Sequence, residues 1–278
     1  MRLLSVTKPG IIFGNIVTAC GGYFLGTKEN FSFVTFAAMI IGMSLVIACG
    51  CVINNYIDQD IDKLMARTKK RVSALGLLPN IGLIFYGIVL GLLGIAFLSI
   101  FTNLLTVIVA LVGLFVYIVL YTLWLKRTSI HGTFIGAISG AVPPVVGYCA
   151  TTNRFDAGAM ILFAILFLWQ MPHSYAIAIF RLKDYKAANI PVLPVVKGIE
   201  YTKVVMCVYT LLFAIVALLP TIFGYTGYIY LAAACLFGLS WLILAIKGLR
   251  SDSNITWSRK MFVVSILGIM LLSVAMSV

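Results

Sequence analysis

An all-α fold, a polytopic bundle of about nine membrane-spanning helices, follows from three features of this sequence. The 278-residue chain is 62% hydrophobic and only 10% charged, with a mean hydropathy of +1.11. That lies well beyond the composition of a water-soluble domain. Apolar runs of about 20 residues, the length that crosses a bilayer as a helix, recur from end to end. The 20 Lys and Arg residues fall almost wholly in alternate connections between those runs, the asymmetry that membrane topology imposes.

The first span, 10–27, follows Thr7-Lys8-Pro9 and is long enough to cross; no small-residue cleavage site marks it as a removable signal peptide. The second, 33–54, ends where an acidic run begins. The third and fourth, 80–100 and 103–124, are separated by a short connection. The fifth, 130–150, is interrupted by Pro143-Pro144 and carries Gly136, Gly140 and Gly147, which suit close helix packing. The sixth, 157–180, holds Trp169-Gln170-Met171-Pro172-His173-Ser174-Tyr175. The seventh and eighth are 202–222 and 225–246, and the last, 260–277, follows Arg259.

With the N-terminus in the cytoplasm, all the Lys and Arg residues lie inside except Lys28 and Arg154, and the C-terminus lies outside. We expect a cell (plasma) membrane and one membrane-embedded domain, 1–278. The two long connections, 55–79 and 181–201, both face the cytoplasm and stand four helices apart. This predicts two four-helix halves in parallel orientation plus a ninth helix, with a site at their junction capped by the two loops.

The net charge of +12 is explained by short cytoplasmic loops, and no nucleic-acid-binding pattern accompanies it. The six cysteines all fall in apolar stretches without a CxxC pair, so they read as packing residues and not as a disulfide framework.

Of the eight acidic residues, three sit in Asn54-Asn55-Tyr56-Ile57-Asp58-Gln59-Asp60-Ile61-Asp62. A charged side chain such as Asp costs about 2.5–3.5 kcal/mol at the bilayer centre, so these placements point to chemistry. On a helix Asn54, Asp58 and Asp62 form one stripe. Hard oxygen ligands in that array suit Mg²⁺, which joins one or two carboxylates to substrate phosphates. Asp60 falls on the opposite side and reads as solvated. Downstream, Arg67, Lys70 and Arg71 supply phosphate-binding charge. The second loop carries Arg181, Lys183, Asp184 and Lys186, with Asp184 as a further metal ligand and the cations facing the leaving group. In the sixth span Pro172 permits a kink. His173 is either a functional residue or a structural histidine bonded to a neighbouring helix. His131 reads as interfacial. Tyr56, Trp169 and Tyr175 are near enough to the motifs to shield a carbocation with their π faces.

The first motif resembles the NxxxDxxxD signature of the UbiA-type intramembrane prenyltransferases, and Arg67-Thr68-Lys69-Lys70-Arg71 is similar to that superfamily's basic tail. Generic members carry a second DxxxD; here Ala188 follows Asp184 at the fourth position. With Ile190-Pro191-x-Leu193-Pro194, Trp169-Gln170-x-Pro172-His173, Thr7-Lys8-Pro9 and Pro143-Pro144-x-x-Gly147, the chain resembles the protohaem IX farnesyltransferase (haem O synthase) branch over nearly its whole length.

The resemblance implies a nine-helix bundle with a site open to the cytoplasm and the hydrocarbon. It implies farnesyl diphosphate as donor, haem b as acceptor and Mg²⁺ as cofactor. The farnesyl group would pass to a haem vinyl, with water completing a hydroxyethylfarnesyl chain to give haem O. Asn54, Asp58 and Asp62 would hold the metal diphosphate. Arg67, Lys70 and Arg71 would bind phosphate, with Asp184 and Lys183 on the other side, and His173 would contact haem. A haem A synthase or terminal-oxidase assembly is the partner it suggests. The rivals are prenyl transfer to a quinone-ring or chlorophyll-type acceptor, an ion-coupled transporter using Asp58 and Asp62, and a structural membrane subunit.

Overall fold

The computed structural model describes residues 2–27 and 31–278, so Lys28 and the side chain of Arg2, both used in the charge argument, lie outside the described residues. Among these residues nine helices are long and apolar enough to cross a membrane. They are α1 (Pro9–Thr27), α2 (Phe33–Ile57), α3 (Asn80–Phe101), α4 (Leu104–Thr128), α5 (Gly132–Thr152), α6 (Ala157–Phe180), α7 (Ile199–Ile222), α8 (Tyr228–Gly248) and α9 (Asn254–Ala275).

Their starts are set by local chemistry. Ser32, Asn103, Asp156 and Ser253 turn side-chain oxygens onto the first free amides of α2, α4, α6 and α9, as N-caps do. The Ser253 cap explains why α9 begins at Asn254 and carries Arg259 and Lys260 within it, earlier than hydropathy alone indicates. The helix α5 breaks at Ala141 into two segments, with Pro143 and Pro144 in the first turn of the second, where a missing N–H costs nothing. Pro172 is accommodated inside a continuous α6. From Val116 to Leu125, α4 widens into π-helix.

The helices pack as two related halves. In the first, α2 pairs with α3; in the second, α6 pairs with α7. The same relation recurs between α4 and α5 and between α8 and α9, while α9 closes back on α1 and α6. The seam between the halves, α1 on α5, is set by two glycines. A Cβ on Gly22 would sit 1.9 Å from the Pro144 carbonyl oxygen, and one on Gly147 would sit 1.9 Å from that of Ala19. Only glycine permits backbones so close. The outward faces are apolar, with side chains such as Leu92 and Leu236 exposed.

The two long loops meet at one end of the bundle. Asp184 Oδ1 accepts the Ala66 N–H at 2.9 Å, and Ile61, Met65, Ala188 and Ile190 bury one another beneath it. A short N-terminal helix, Arg2–Val6, lies at the same end. Asn55 Nδ2 holds its Val6 carbonyl at 2.7 Å, and Lys8, with φ 55°, then turns the chain into α1.

Candidate active site

The acidic run begins inside α2 and outlasts it. Asn54 lies in the last turn, Asp58 ends the helix, and Gln59–Leu64 forms a further short helix. Backbone bonds Asp58 N–H to Asn54 O at 2.9 Å and Asp62 N–H to Asp58 O at 2.8 Å carry the four-residue step through the joint. The three side chains therefore share a face, and all are buried, at 4%, 1% and 1% exposure. Among the described residues no three His, Cys, Asp or Glu side chains gather around one point. The oxygen donors on this face are two carboxylates and one amide.

Cations surround them. Asp58 Oδ2 accepts the Asn54 amide at 2.7 Å and pairs with the Lys126 ammonium. Arg127 stands 3.6 Å from the other oxygen, Oδ1. That oxygen is buried and makes no hydrogen bond, an exception among buried polar atoms. Arg71 donates to Asp62 at 2.7 Å. Lys8 donates to the Asn54 oxygen at 2.6 Å, and burial pushes the Lys8 ammonium pKa down to about 8. Asp60 points outward, where Arg127 grips both its oxygens at 2.7 Å and holds its pKa below the usual carboxylate range.

The π-turn of α4 completes this end. Its wide pitch lets Thr122 donate to the Tyr117 carbonyl five residues back, at 2.8 Å, while receiving the second Asn54 N–H at 3.2 Å. Tyr117 and Tyr121 stack at 5.9 Å and line the cavity, and Lys126 follows in register. Such π segments recur at functional sites.

One cavity of about 730 Å³ joins these groups to the interior. Asn54, Asp58, Asp62, Arg67, Arg71, Lys8 and Lys126 line its polar end. Side chains such as Met43, Val46, Leu114, Leu166 and Ile269 line the rest. Ile11 and Phe13 of α1 both line it and lie on the outer surface, 46% and 60% exposed, so this wall borders the hydrocarbon. Deeper in, Trp169, Gln170, His173 and Phe262 form a further wall. Polar head and apolar body thus share one chamber, which suits an amphiphile with an anionic group. The acids lie at the end of α2, not at the bilayer midplane where ion-coupled transporters usually bind.

The structure brings together Asn54, Asp58, Asp62, Arg67, Arg71, Trp169 and His173. It places other expected residues elsewhere. Lys70, Lys183 and Lys186 are exposed on the outer side of the loops, and Arg181 lies against the Phe180 ring, 5.6 Å from its centroid. None of the four lines the cavity. Tyr175 packs in the core cluster that includes α7 and α9, and Tyr56 packs against the one under the N-terminal helix. Tyr117 and Tyr121 occupy the position beside the acids that was expected of Tyr56 and Tyr175. Asp184 lies behind the cavity wall and is engaged with Ala66, so its ascertained partner is a backbone amide. His131 is exposed, as an interfacial residue is.

Sequence reasoning passed over Lys8, Lys126 and Arg127 as topology markers and Tyr117, Tyr121 and Thr122 as ordinary span residues. The available signal was that Lys126-Arg127 is the only basic pair of its short connection and lies at the same bundle end as the acids.

Comparison with known proteins supplies an independent line. Residues 15–267 match the UbiA prenyltransferase family. Over 278 residues the chain is 54% identical to the protohaem IX farnesyltransferase of Serratia proteamaculans, covering 100% of this chain and 94% of that protein. It is 52% identical to that of Yersinia pseudotuberculosis, with the same coverage. Among solved structures it resembles a digeranylgeranylglyceryl phosphate synthase, with a TM-score of 0.81 at 20% identity, covering 99% of this chain and 98% of the other. It also resembles a UbiA homologue from Archaeoglobus fulgidus bound to GPP and Mg²⁺, with a TM-score of 0.74 at 15% identity over the whole of both chains. These structural likenesses concern the fold.

Proposed function

We infer the reaction from one premise: the chain belongs to the UbiA prenyltransferase family. It is a multi-pass membrane enzyme that transfers a farnesyl group from farnesyl diphosphate to a vinyl group of protohaem IX. Full-length identity to protohaem IX farnesyltransferases selects the acceptor. The observation that carries the mechanism is the buried Asn54-Asp58-Asp62 face, with an Asp58 oxygen that makes no hydrogen bond, at the polar end of a long apolar chamber.

Two carboxylates, one of them with an oxygen that makes no hydrogen bond, and one amide fit a Mg²⁺ ion that takes its remaining ligands from phosphate and water. Asn54, Asp58 and Asp62 would hold it, and when bound it would neutralise charge growing on the departing diphosphate. Lys8, Arg67, Arg71 and Lys126 add fixed positive charge around the same group. The allylic C–O bond breaks and its electron pair leaves with diphosphate. The Tyr117 and Tyr121 faces and the apolar wall keep water from the farnesyl cation. The haem vinyl then attacks, its terminal carbon bonding to farnesyl. Water adds at the neighbouring carbon and releases a proton, giving the hydroxyethylfarnesyl side chain of haem O.

Asp184 fixes the second loop over the first, and His173 contacts the acceptor. The charge asymmetry of the loops supports a cytoplasmic N-terminus and an outside C-terminus, and we read the membrane as the plasma membrane. Lysines 70, 183 and 186 and Arg181 lie on that cytoplasmic rim, where they attract the anionic donor before it enters. A haem A synthase or terminal-oxidase assembly is the fitting recipient of the product.

The test is to supply membranes containing the chain with haem b, farnesyl diphosphate and Mg²⁺ and to weigh the extracted porphyrin. A porphyrin heavier by one farnesyl group and one hydroxyl is expected. An unchanged porphyrin beside a prenylated quinone-ring acceptor would overturn the choice of acceptor.

A further inference from the structure

At the wall of the chamber formed by α6 and α9, two side chains of α6 one turn apart converge on a single residue of α9. Trp169 Nε1–H donates to the Ser265 carbonyl at 2.9 Å. His173 Nδ1 meets the Ser265 hydroxyl oxygen at 2.7 Å. That hydroxyl has another short contact, 2.6 Å to the Phe262 carbonyl oxygen. A carbonyl only accepts, and a serine hydroxyl has one proton to give. Both contacts are satisfied together only if the serine proton points at Phe262 and the histidine proton sits on Nδ1. The tautomer is thereby fixed, and Nε2 carries the free lone pair.

The ring is also fixed in orientation. It stacks on Trp169 with centroids 4.5 Å apart and planes at 24°, and Phe262 closes the other side at 4.9 Å and 34°. Among the described residues Nε2 makes no hydrogen bond, and His173 lines the chamber. A neutral imidazole whose N–H is tied to a fixed acceptor, clamped by neighbours and with its second nitrogen free, has the build of a metal-binding histidine. A purely structural histidine would not need the second nitrogen to remain unpaired at a cavity wall.

We propose that His173 Nε2 is the axial ligand to the iron of the haem acceptor, and that Ser265 is the positioning residue that holds it in the ligating tautomer. This rests on the reading of haem as acceptor. Ligation gives the chamber two anchors, one for the diphosphate at the Asp58 end and one for the porphyrin at the α6–α9 wall. The alkene and the vinyl group are then confined between them. Neutral nitrogen donors suit haem iron; the sulfur side chains that line the same chamber, Met43, Cys51, Met65 and Met270, are the competing ligands.

The experiment is resonance Raman and optical spectroscopy of purified full-length protein titrated with ferrous haem b. The wild type should show the iron–nitrogen stretch of an imidazole ligand. His173→Ala should lose that band and regain one when free imidazole is added, with binding of a non-reacting farnesyl thiodiphosphate unchanged. Ser265→Ala should keep the ligand but shift the band and weaken haem binding about 10–100-fold, the usual effect of removing a ligand's hydrogen-bond partner. An unaltered band in His173→Ala, or a wild-type spectrum of sulfur ligation, would overturn the assignment while leaving haem as the acceptor. Failure of the wild type to bind haem b at all would overturn the acceptor reading and this inference with it.

Discussion

Asp58→Asn is the sharpest perturbation of the donor site. The substitution keeps shape and removes one charge from a residue that is 1% exposed. Asp58 accepts from Asn54 and Lys126. Hydrogen bonds to a charged group contribute about 1.5–3 kcal/mol against about 0.5–1.5 for neutral ones; the Asn54 bond becomes neutral while the Lys126 bond keeps the ammonium's charge, so the resting site loses about 1–3 kcal/mol. The larger loss falls on the reaction. Oδ1, which makes no hydrogen bond and has only Arg127 at 3.6 Å, is the oxygen placed to meet the metal of a metal-bound diphosphate, and losing one such preorganised contact costs about 2.7–4 kcal/mol in the transition state, or about 10²–10³ in rate. The assay is mass-resolved porphyrin product from purified protein as farnesyl diphosphate and Mg²⁺ are varied. The variant should lose about 10²–10³ in kcat/KM, need more Mg²⁺, and elute as the wild type does. Adding Lys126→Met, which removes the stranded ammonium, should recover stability and not turnover. Turnover within about threefold of wild type in Asp58→Asn, or its return in the double variant, would refute the reasoning by reducing the carboxylate to a counter-ion for Lys126.

Other perturbations separate further parts of the account. Lys8 loses its proton as pH rises through about 8, so the KM for farnesyl diphosphate should climb above that pH in the wild type and stay flat in Lys8→Arg, whose charge persists. The folded state releases this proton well below the ordinary value of 10.5; the unfolded chain then holds more protons in that window, and stability should rise with pH from about 8 toward 10.5, which thermal melts across that range would detect. Asp184→Asn retains an acceptor for the Ala66 amide and should keep kcat within a few-fold, whereas Asp184→Ala should raise KM by loosening the loop pair; a kcat loss of about 10² in the asparagine variant would instead make Asp184 a metal ligand. Gly22→Ala should lower the melting temperature by several degrees, because its Cβ meets the Pro144 carbonyl at 1.9 Å, while Gly10→Ala, with nothing within 4 Å, should not.

The spans were legible because hydrocarbon imposes a single rule on long stretches of chain, and all but the start of the last appear within a few residues of their expected places. Boundaries slipped where a polar cap outweighs hydropathy, as Ser253 does for α9. The acidic face was legible because a four-residue step of rare side chains survives the helix joint at Asp58. The cations that complete it were not, since Lys8 and Lys126 come from other helices and carry the same signature as any cytoplasmic anchor. Tyr117 and Tyr121 were hidden for a different reason. They keep the spacing of an ordinary helix face with Ala110, Gly113 and Leu114, and in so apolar a span nothing distinguishes an aromatic turned to a chamber from one turned to lipid. Asp184 was marked by its rarity, which does not by itself distinguish a metal ligand from the loop tether to Ala66 that the structure shows.

The central claim is that Asn54, Asp58 and Asp62 together hold a metal-bound diphosphate. Electron paramagnetic resonance of Mn²⁺ in place of Mg²⁺, with farnesyl thiodiphosphate and protein, tests it most directly. The account predicts a bound Mn²⁺ signal coupled to phosphorus in the wild type, dependent on the diphosphate and lost in both Asp58→Asn and Asp62→Asn. An identical coupled signal in those two variants would contradict it.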